Sequence, residues 1–575
     1  MKAKPFTPTG EQARVIGHNG SAFVASCPGS GKTRVIVERA RLMLADHSSR
    51  RGIAFLSFTI AAVSELEERL HRQGLLDVPA FPHFIGTFDR FLWQFFIAPF
   101  GVPGCTARPR LIPDKDKLQI QPFPGAQALP LDCFDRTTGN SIPEALARHG
   151  FKGRVKAHET AARNTRARFL ERGELDFADA REVALARLRD PVSSPVLARA
   201  LAARFRELIV DEAQDCNPAD LEIINWFRSA HIPVKVICDP HQSIYGFRGG
   251  VTDELLAFGE TFEENDRLPI TGNFRSSRHI ANAIVALRAP SARSVTDEAL
   301  GEYRDETTPI HILAYPGNSV PAIVGAKFGE LTEELRLNAR DCPVVAATRL
   351  SGANALGHPA DNGVKDLSFR LAVAISDYHL SFELGGRKEA LEVVHALMLE
   401  LEGHLVNKTY HQHISNAEIE PDHWRPRVLE LVDALRFDPT RFATSDAWHD
   451  LARTLLAPLL PVGGRSINQR LPRNADLAKA LFGAPPSGHC ARTIHSVKGM
   501  EFPAVCVVMS SRTAKGILDF LTAGSSAAAS EDARKIYVGA SRAQRLLAIA
   551  VPKSQAPRLM RLLQTTGATV SLVVL

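Results

Sequence analysis

The sequence predicts an α/β protein built on parallel sheets and interrupted twice by mostly helical insertions. Three observations carry that prediction. Short apolar runs bounded by turn residues alternate with helix-period stretches. One strand-to-helix junction holds Ser26-Cys27-Pro28-Gly29-Ser30-Gly31-Lys32-Thr33. The alternation then lapses over 96–200 and again over 351–489. At 575 residues the chain is too long for one core, and its length suggests about three or four domains.

The first apolar run, Ala22 to Ala25, predicts a strand, and Ile36, Ala40 and Met43 share one face of the helix behind it. Between them Gly29 and Gly31 permit backbone turns that a Cβ would obstruct. Loop N–H groups and a helix N-terminus aimed at one spot make an anion site, and the spacing is that of a phosphate-binding loop. Pro28 and Ser30 belong to that loop. Lys32 would reach the β- and γ-phosphates, and the Thr33 hydroxyl would complete a magnesium shell. Ser26 stands where the strict pattern has Gly.

Ile53 to Thr59 reads as the next strand and Ala61 to Leu70 as a helix, with Glu65 and Arg69 four residues apart. The rhythm returns at Glu207-Leu208-Ile209-Val210-Asp211-Glu212-Ala213-Gln214-Asp215. Two acids closing an apolar strand lie at its C-terminal edge, where open α/β sheets bind ligands. Asp211 suits magnesium held through water, and Glu212 suits orienting or deprotonating an attacking water. Val234 to Cys238 is a further strand, and it leads into Gln242-Ser243-Ile244-Tyr245-Gly246-Phe247-Arg248-Gly249. Aromatics beside an arginine on a glycine-rich loop suit base stacking and phosphate contact. Strand patterns resume at Val505 to Met509 and at Leu546 to Val551. The resulting division is 1–95, 96–200 (insertion), 201–272, 273–350, 351–489 (second, reduced insertion) and 490–575.

The composition is that of an ordinary globular protein, with 45% hydrophobic and 23% charged residues, and the net charge of +6 suits a polyanionic partner. Between Lys152 and Arg172 seven basic residues face two acidic ones, including Arg163, Arg166 and Arg168; a strip for DNA phosphates and a solvated helix face explain this equally well. Eight scattered cysteines without a C-x-x-C pair argue against a zinc or disulfide framework and fit a reducing cytoplasm. His489-Cys490 and the trio His404, His411 and His413 read as surface or packing residues. No signal peptide and no membrane-spanning run is expected.

In this order, Asp-Glu-Ala-Gln-Asp, Gln-Ser-Ile-Tyr-Gly-Phe-Arg-Gly and His495-Ser496-Val497-Lys498-Gly499-Met500-Glu501-Phe502 resemble the motor motifs of UvrD/Rep-like superfamily 1 DNA helicases. The resemblance implies two RecA-like motor domains with ATP and Mg2+ in the cleft between them. It implies an adenine-reading Gln12, an adenine sandwich of Arg34 and Phe274, and a γ-phosphate sensor at Gln242. Arg275 and Arg542 would reach the γ-phosphate from the second motor domain, and Glu501 would contact the ribose. Phe58, Thr59, Thr87, Phe247, Arg248 and His495 fall on positions that stack on bases or hold phosphates of single-stranded DNA.

Departures accompany the resemblance. Phe58-Thr59-Ile60-Ala61 loses polar groups usual beside the DNA track, Asp89 replaces a usual His, and Cys238 replaces a usual Gly. The second insertion lacks the family's duplex-engaging motifs. The compact layout is similar to the helicase component of Gabija-type anti-phage systems. Two readings follow. One is an ATP-driven motor that moves 3′ to 5′ on single-stranded or tailed duplex DNA, in repair, recombination or anti-phage defence. The other is an ATPase switch or DNA-end sensor that regulates a partner nuclease with little unwinding. A nuclease fused behind the last motor strand is not expected.

Overall fold

A computed structural model describes residues 6–46, 49–76, 80–244, 252–357, 366–380, 384–406, 409–417, 419–475, 477–481, 488–524 and 529–575. The chain forms two compact units: one comprises 1–91, 185–360 and 486–575, the other 92–184 and 361–485.

The first unit contains two six-stranded parallel sheets. In the first sheet the strands are β1 (Ala22–Ser26), β2 (Gly52–Ser57), β3 (Phe84–Thr87), β4 (Phe205–Val210), β5 (Val234–Cys238) and β6 (Arg267–Ile270). Their order is β6-β1-β5-β4-β2-β3, with every pairing parallel. The central strands are buried on both faces, as parallel strands flanked by helices must be. β1 pairs with β5 and β6 on its two sides, so the loop leaving its C-terminal end lies inside the sheet edge and not at a corner. Helix α1 (Gly10–Gly17) precedes β1, and α2 (Lys32–Leu44) follows it. The second helix is tied down from within: Arg39 makes a two-pronged pair with Glu207 on β4, at 3.0 and 2.6 Å, and donates to the Ile16 carbonyl at 2.8 Å.

Strand β2 stops earlier than its apolar run suggests. Thr59 takes the N-cap of α3 (Ile60–Arg72) and accepts from the Ala62 N–H at 3.2 Å, so the helix begins where the run would have continued. The Glu65–Arg69 pair forms on that helix at 2.6 Å.

The second sheet comprises β7 (Ile310–Tyr315), β8 (Val344–Ala346), β9 (Ala491–Thr493), β10 (Phe502–Val508), β11 (Ala543–Pro552) and β12 (Val570–Val574). The order is β9-β8-β10-β11-β7-β12, again all parallel. Apolar side chains pack on both of its faces. Ile244, which follows β5 of the first sheet, is fully buried within the core of this second lobe.

The second unit is mostly helical, with Lys156–Glu171, Leu367–Leu380, Leu384–Leu401, Pro421–Ala434 and Ser445–Leu456 as its longer helices within these bounds. Fully buried Trp448 anchors one core and donates its indole N–H to the Leu435 carbonyl at 2.7 Å. The two stretches meet at Asp114, whose carboxylate accepts from the Thr409 hydroxyl at 2.7 Å and from the His411 N–H at 3.2 Å. The basic strip is not uniformly solvated. Arg166 is buried, donating to the Leu131 and Phe134 carbonyls and to Asp116, so acceptors inside the fold draw its guanidinium in.

Candidate nucleotide and catalytic site

The phosphate loop takes its shape from two glycines in left-handed backbone. Gly29 has φ +70°, and a Cβ there would lie 2.6 Å from both the Arg275 Cβ and the Asn273 Oδ1. Gly31, at φ 77°, is the N-cap of α2 and supplies no side-chain cap, which leaves the first helical N–H groups for an anion. Among the described residues, Lys32 and Thr33 donate no side-chain hydrogen bond, and the Ser30 hydroxyl is buried without a partner. These open donors, on a cradle that a Cβ would fill, fit a polyphosphate.

Strand β4 delivers Asp211 and Glu212 to the same end of the sheet. Glu212 sits at φ 55°, ψ 36°, a left-handed conformation uncommon for a side chain of this kind. Burial first, and the Glu212 carboxylate next, push the Asp211 pKa up to about 7 against the pull of Lys32. Glu212 moves the other way: burial opposes its charge, but Lys32, Lys498 and Arg542 together hold it below its ordinary value. A buried carboxylate short of positive charge, beside the free hydroxyl of Thr33, is a donor set that fits a hard divalent cation.

The second lobe closes on the segment after β5. Arg542 donates to the Gln242 Oε1, Tyr537 donates to the Asp239 Oδ2 at 3.2 Å, and Arg534 donates to the Ser243 carbonyl at 2.7 Å. His495 Nε2 lies 3.3 Å from the Ile244 carbonyl. Lys498 pairs with Asp215, a contact for which motif reading assigned no role, although Lys498 stands inside the motif His495 to Phe502.

The other residues expected around the nucleotide have partners within the protein. Gln12 is 1% exposed and spends its amide inside the protein, accepting from the Thr9 N–H at 3.0 Å and donating to the Ser30 carbonyl at 2.9 Å; here it clamps the phosphate loop. Arg34 lies over the Phe6 ring at 4.5 Å, while Phe274 is 38% exposed with its N–H bonded to the Gly29 carbonyl. Arg275 donates to Glu501 at 2.9 Å and to the Ser541 carbonyl at 2.8 Å, so the two residues expected on γ-phosphate and ribose hold each other. Opposite charges left facing one another at a cleft pair until a competing anion draws the arginine away.

On the expected DNA track, Phe58 stacks on Phe88 with ring centroids 5.3 Å apart. Thr59 caps α3, and Thr87 accepts from the Arg90 N–H at 3.1 Å. Burial lowers the His495 pKa, favouring the neutral ring. Phe247 and Arg248 lie outside the described residues.

All eight cysteines are free. Among the described residues one group, Asp132, Cys133 and His149, brings possible metal-ligating atoms within 4.8 Å of one another; no sequence spacing marked it. Also among the described residues, no helix is long and apolar enough to cross a membrane.

A glycine-bent loop between a central parallel strand and a helix N-terminus, facing a strand-end carboxylate pair, defines the P-loop class of nucleotide-binding folds. Comparison with known families refines this. Residues 8–98 and 137–263 match the UvrD/REP helicase N-terminal domain, and 491–554 match the UvrD-like helicase C-terminal domain. These two domains are those of the UvrD-like helicase family. Similar relatives include DNA helicase II of Escherichia coli, 24% identical over 294 residues that cover 48% of this chain and 39% of the relative. ATP-dependent DNA helicase UvrD1 of Mycobacterium tuberculosis is 26% identical over 322 residues, covering 51% of this chain and 41% of the relative. An ATP-dependent helicase/nuclease component from Exiguobacterium sibiricum is 30% identical over 207 residues, covering 34% and 16%. The chain thus spans well under half the length of the curated relatives it matches.

Proposed function

We propose that the chain is an ATP-dependent DNA motor that hydrolyses ATP in the cleft between its two lobes, moves 3′ to 5′ on single-stranded DNA and unwinds tailed duplexes. One observation carries the reading. Arg542 of one lobe donates to Gln242 of the other, and together with Lys32 and Lys498 it holds the Glu212 carboxylate below its ordinary pKa. Phosphoryl transfer needs positive charge on both sides of the γ-phosphate, and a cleft that supplies it from two lobes couples hydrolysis to their relative movement.

In this reading the loop from Pro28 to Thr33 holds the triphosphate, and Arg34, Phe274 and Glu501 serve the adenosine. Thr33 and Asp211 would hold Mg2+, which would neutralise phosphate charge when bound. Glu212 orients and deprotonates the attacking water, and its depressed pKa keeps it ionised as a base. Gln242 reports the γ-phosphate, while Arg275 and Arg542 stabilise developing charge. Release of Arg275 from Glu501 frees both for ATP. Phe58, Thr59, Thr87, Phe247, Arg248 and His495 form the single-strand track, and stacking there is worth roughly 1–3 kcal/mol per base. Eight free cysteines suit a reducing compartment, the cytoplasm in this reading.

The second reading, an ATPase that governs a partner nuclease in a Gabija-like defence system, is favoured by the reduced second insertion and by a relative whose name joins helicase and nuclease. One experiment separates the two: ATP hydrolysis with and without single-stranded DNA, run beside unwinding of 3′-tailed and 5′-tailed duplexes. DNA-stimulated hydrolysis with unwinding of the 3′-tailed substrate alone supports the motor. Stimulation without unwinding of either favours the switch, and absence of hydrolysis overturns both.

A further inference from the structure

Behind Gln242 runs a buried chain of polar side chains that no motif accounts for from end to end. Its far end is Asp297, 6% exposed, which receives Arg288 on both carboxylate oxygens, at 2.7 and 2.5 Å. Arg288 is 3% exposed and places its guanidinium carbon 5.8 Å from the Tyr537 ring centroid. Tyr537 donates across the cleft to the Asp239 Oδ2 at 3.2 Å. The same oxygen accepts from the Gln242 Nε2 at 2.8 Å, which turns the other end of that amide, Oε1, toward Arg542.

An amide has two ends of opposite polarity and similar shape, so its orientation is set by its partners. Asp239 accepts only, and it therefore dictates which end of Gln242 it receives. Asp239 is itself fixed by Tyr537 and by the His241 N–H at 3.0 Å. Burial first, and Asp239 next, hold the Tyr537 phenol well above its ordinary pKa, so it stays an O–H donor. Without Arg288, the Tyr537 ring would lose the buried cation packed against it, and with it the support that holds its hydroxyl on Asp239.

We infer that Arg288, oriented by Asp297, is a positioning residue for γ-phosphate chemistry, acting through Tyr537 and Asp239 to hold the Gln242 amide with its carbonyl oxygen toward Arg542. The inference rests on the ATPase reading. Among the described residues, Arg288 and Asp297 make no hydrogen bond to the phosphate loop; they bring the second lobe's state to the sensor through a chain of contacts in low dielectric, where each link orients the next.

The test is steady-state ATP hydrolysis by the full chain with Mg2+ and a single-stranded oligonucleotide. Arg288→Met keeps the length of the side chain and removes its charge and donors. Its kcat falls about tenfold while KM for ATP stays within about twofold, the mark of a group that acts in the transition state. Tyr537→Phe, which removes one hydroxyl, produces the same split, and Arg288→Lys recovers part of the loss. In a Gln242→Ala background, Arg288→Met lowers kcat no further, because the residue it acts through is gone. An unchanged kcat in folded Arg288→Met, or effects of Arg288→Met and Gln242→Ala that multiply, overturns the inference. If Arg288→Met fails to fold, Tyr537→Phe decides, and an unchanged kcat there overturns it equally. Hydrolysis by the wild-type chain with unaltered variants removes the inference alone; no hydrolysis by the wild-type chain removes the ATPase reading and the inference with it.

Discussion

Two groups of charge lie in the first lobe, and they are built in opposite ways. Arg39 and Glu207 meet at two prongs, and a third Arg39 donor is taken by the Ile16 carbonyl. Lys32, Asp211 and Glu212 are left incomplete. Asp211 is driven up to about 7, Glu212 is held in a left-handed conformation, and the nearby Ser30 hydroxyl has no partner. The first group locks α2 to the sheet. The second leaves donors and acceptors unmatched where a polyphosphate and a cation would match them. The difference teaches that burial of charge is not itself a sign of function; incomplete compensation is.

The largest effect is expected at Lys32. Lys32→Ala lowers ATP turnover by at least about 10³-fold while circular dichroism shows the fold unchanged. Wild-type turnover in that variant would sink the phosphate-loop assignment. Next comes Arg39→Met, which leaves the Glu207 carboxylate only Lys235, 4.0 Å away, and destabilises by about 2–3 kcal/mol in denaturant unfolding. The surviving folded fraction keeps its KM for ATP, and a changed KM with unchanged stability would make Arg39 part of the site.

Asp211→Asn sharpens the contrast through pH. Asp211 holds its proton more tightly folded, with a pKa of about 7, than at its ordinary value of 3.8. Its contribution to stability is therefore full below the ordinary value and is lost as pH rises through about 7. The Asn variant, which carries no charge to bury, melts about 2–4 °C above wild type at pH 8 and gains nothing at pH 4. A gain at both values would assign the effect to packing. The smallest effect is expected at Ser30. Ser30→Ala removes a buried hydroxyl that makes no hydrogen bond, so stability without nucleotide changes by less than about 0.5 kcal/mol, while KM for ATP rises. A loss of several degrees in Tm would show that the hydroxyl is bonded in solution.

Much of the first lobe was legible because its signals are local. An apolar run with turn residues at both ends specifies a strand, and Gly29 and Gly31 specify positive φ, whatever the rest of the chain does. Thr59 shows the limit of apolar runs: its hydroxyl captures the Ala62 N–H and ends the strand early. Arg166 shows the limit of charge counting. A basic residue in a basic stretch reads as solvated, yet three acceptors far away in sequence bring it inside.

The parallel α/β rhythm, the glycine-bent loop and the carboxylate pair at the end of β4 are local, each encoded within a stretch of about ten residues. Which charges are compensated depends on folding of the whole chain. Folding turned both ends of the Gln12 amide inward, set Arg275 against Glu501, and linked Asp297 through Arg288, Tyr537 and Asp239 to Gln242. The physical reason is that compensation depends on distance and burial, and residues as far apart in the chain as Gln242 and Arg542 acquire both only when the two lobes are folded against each other.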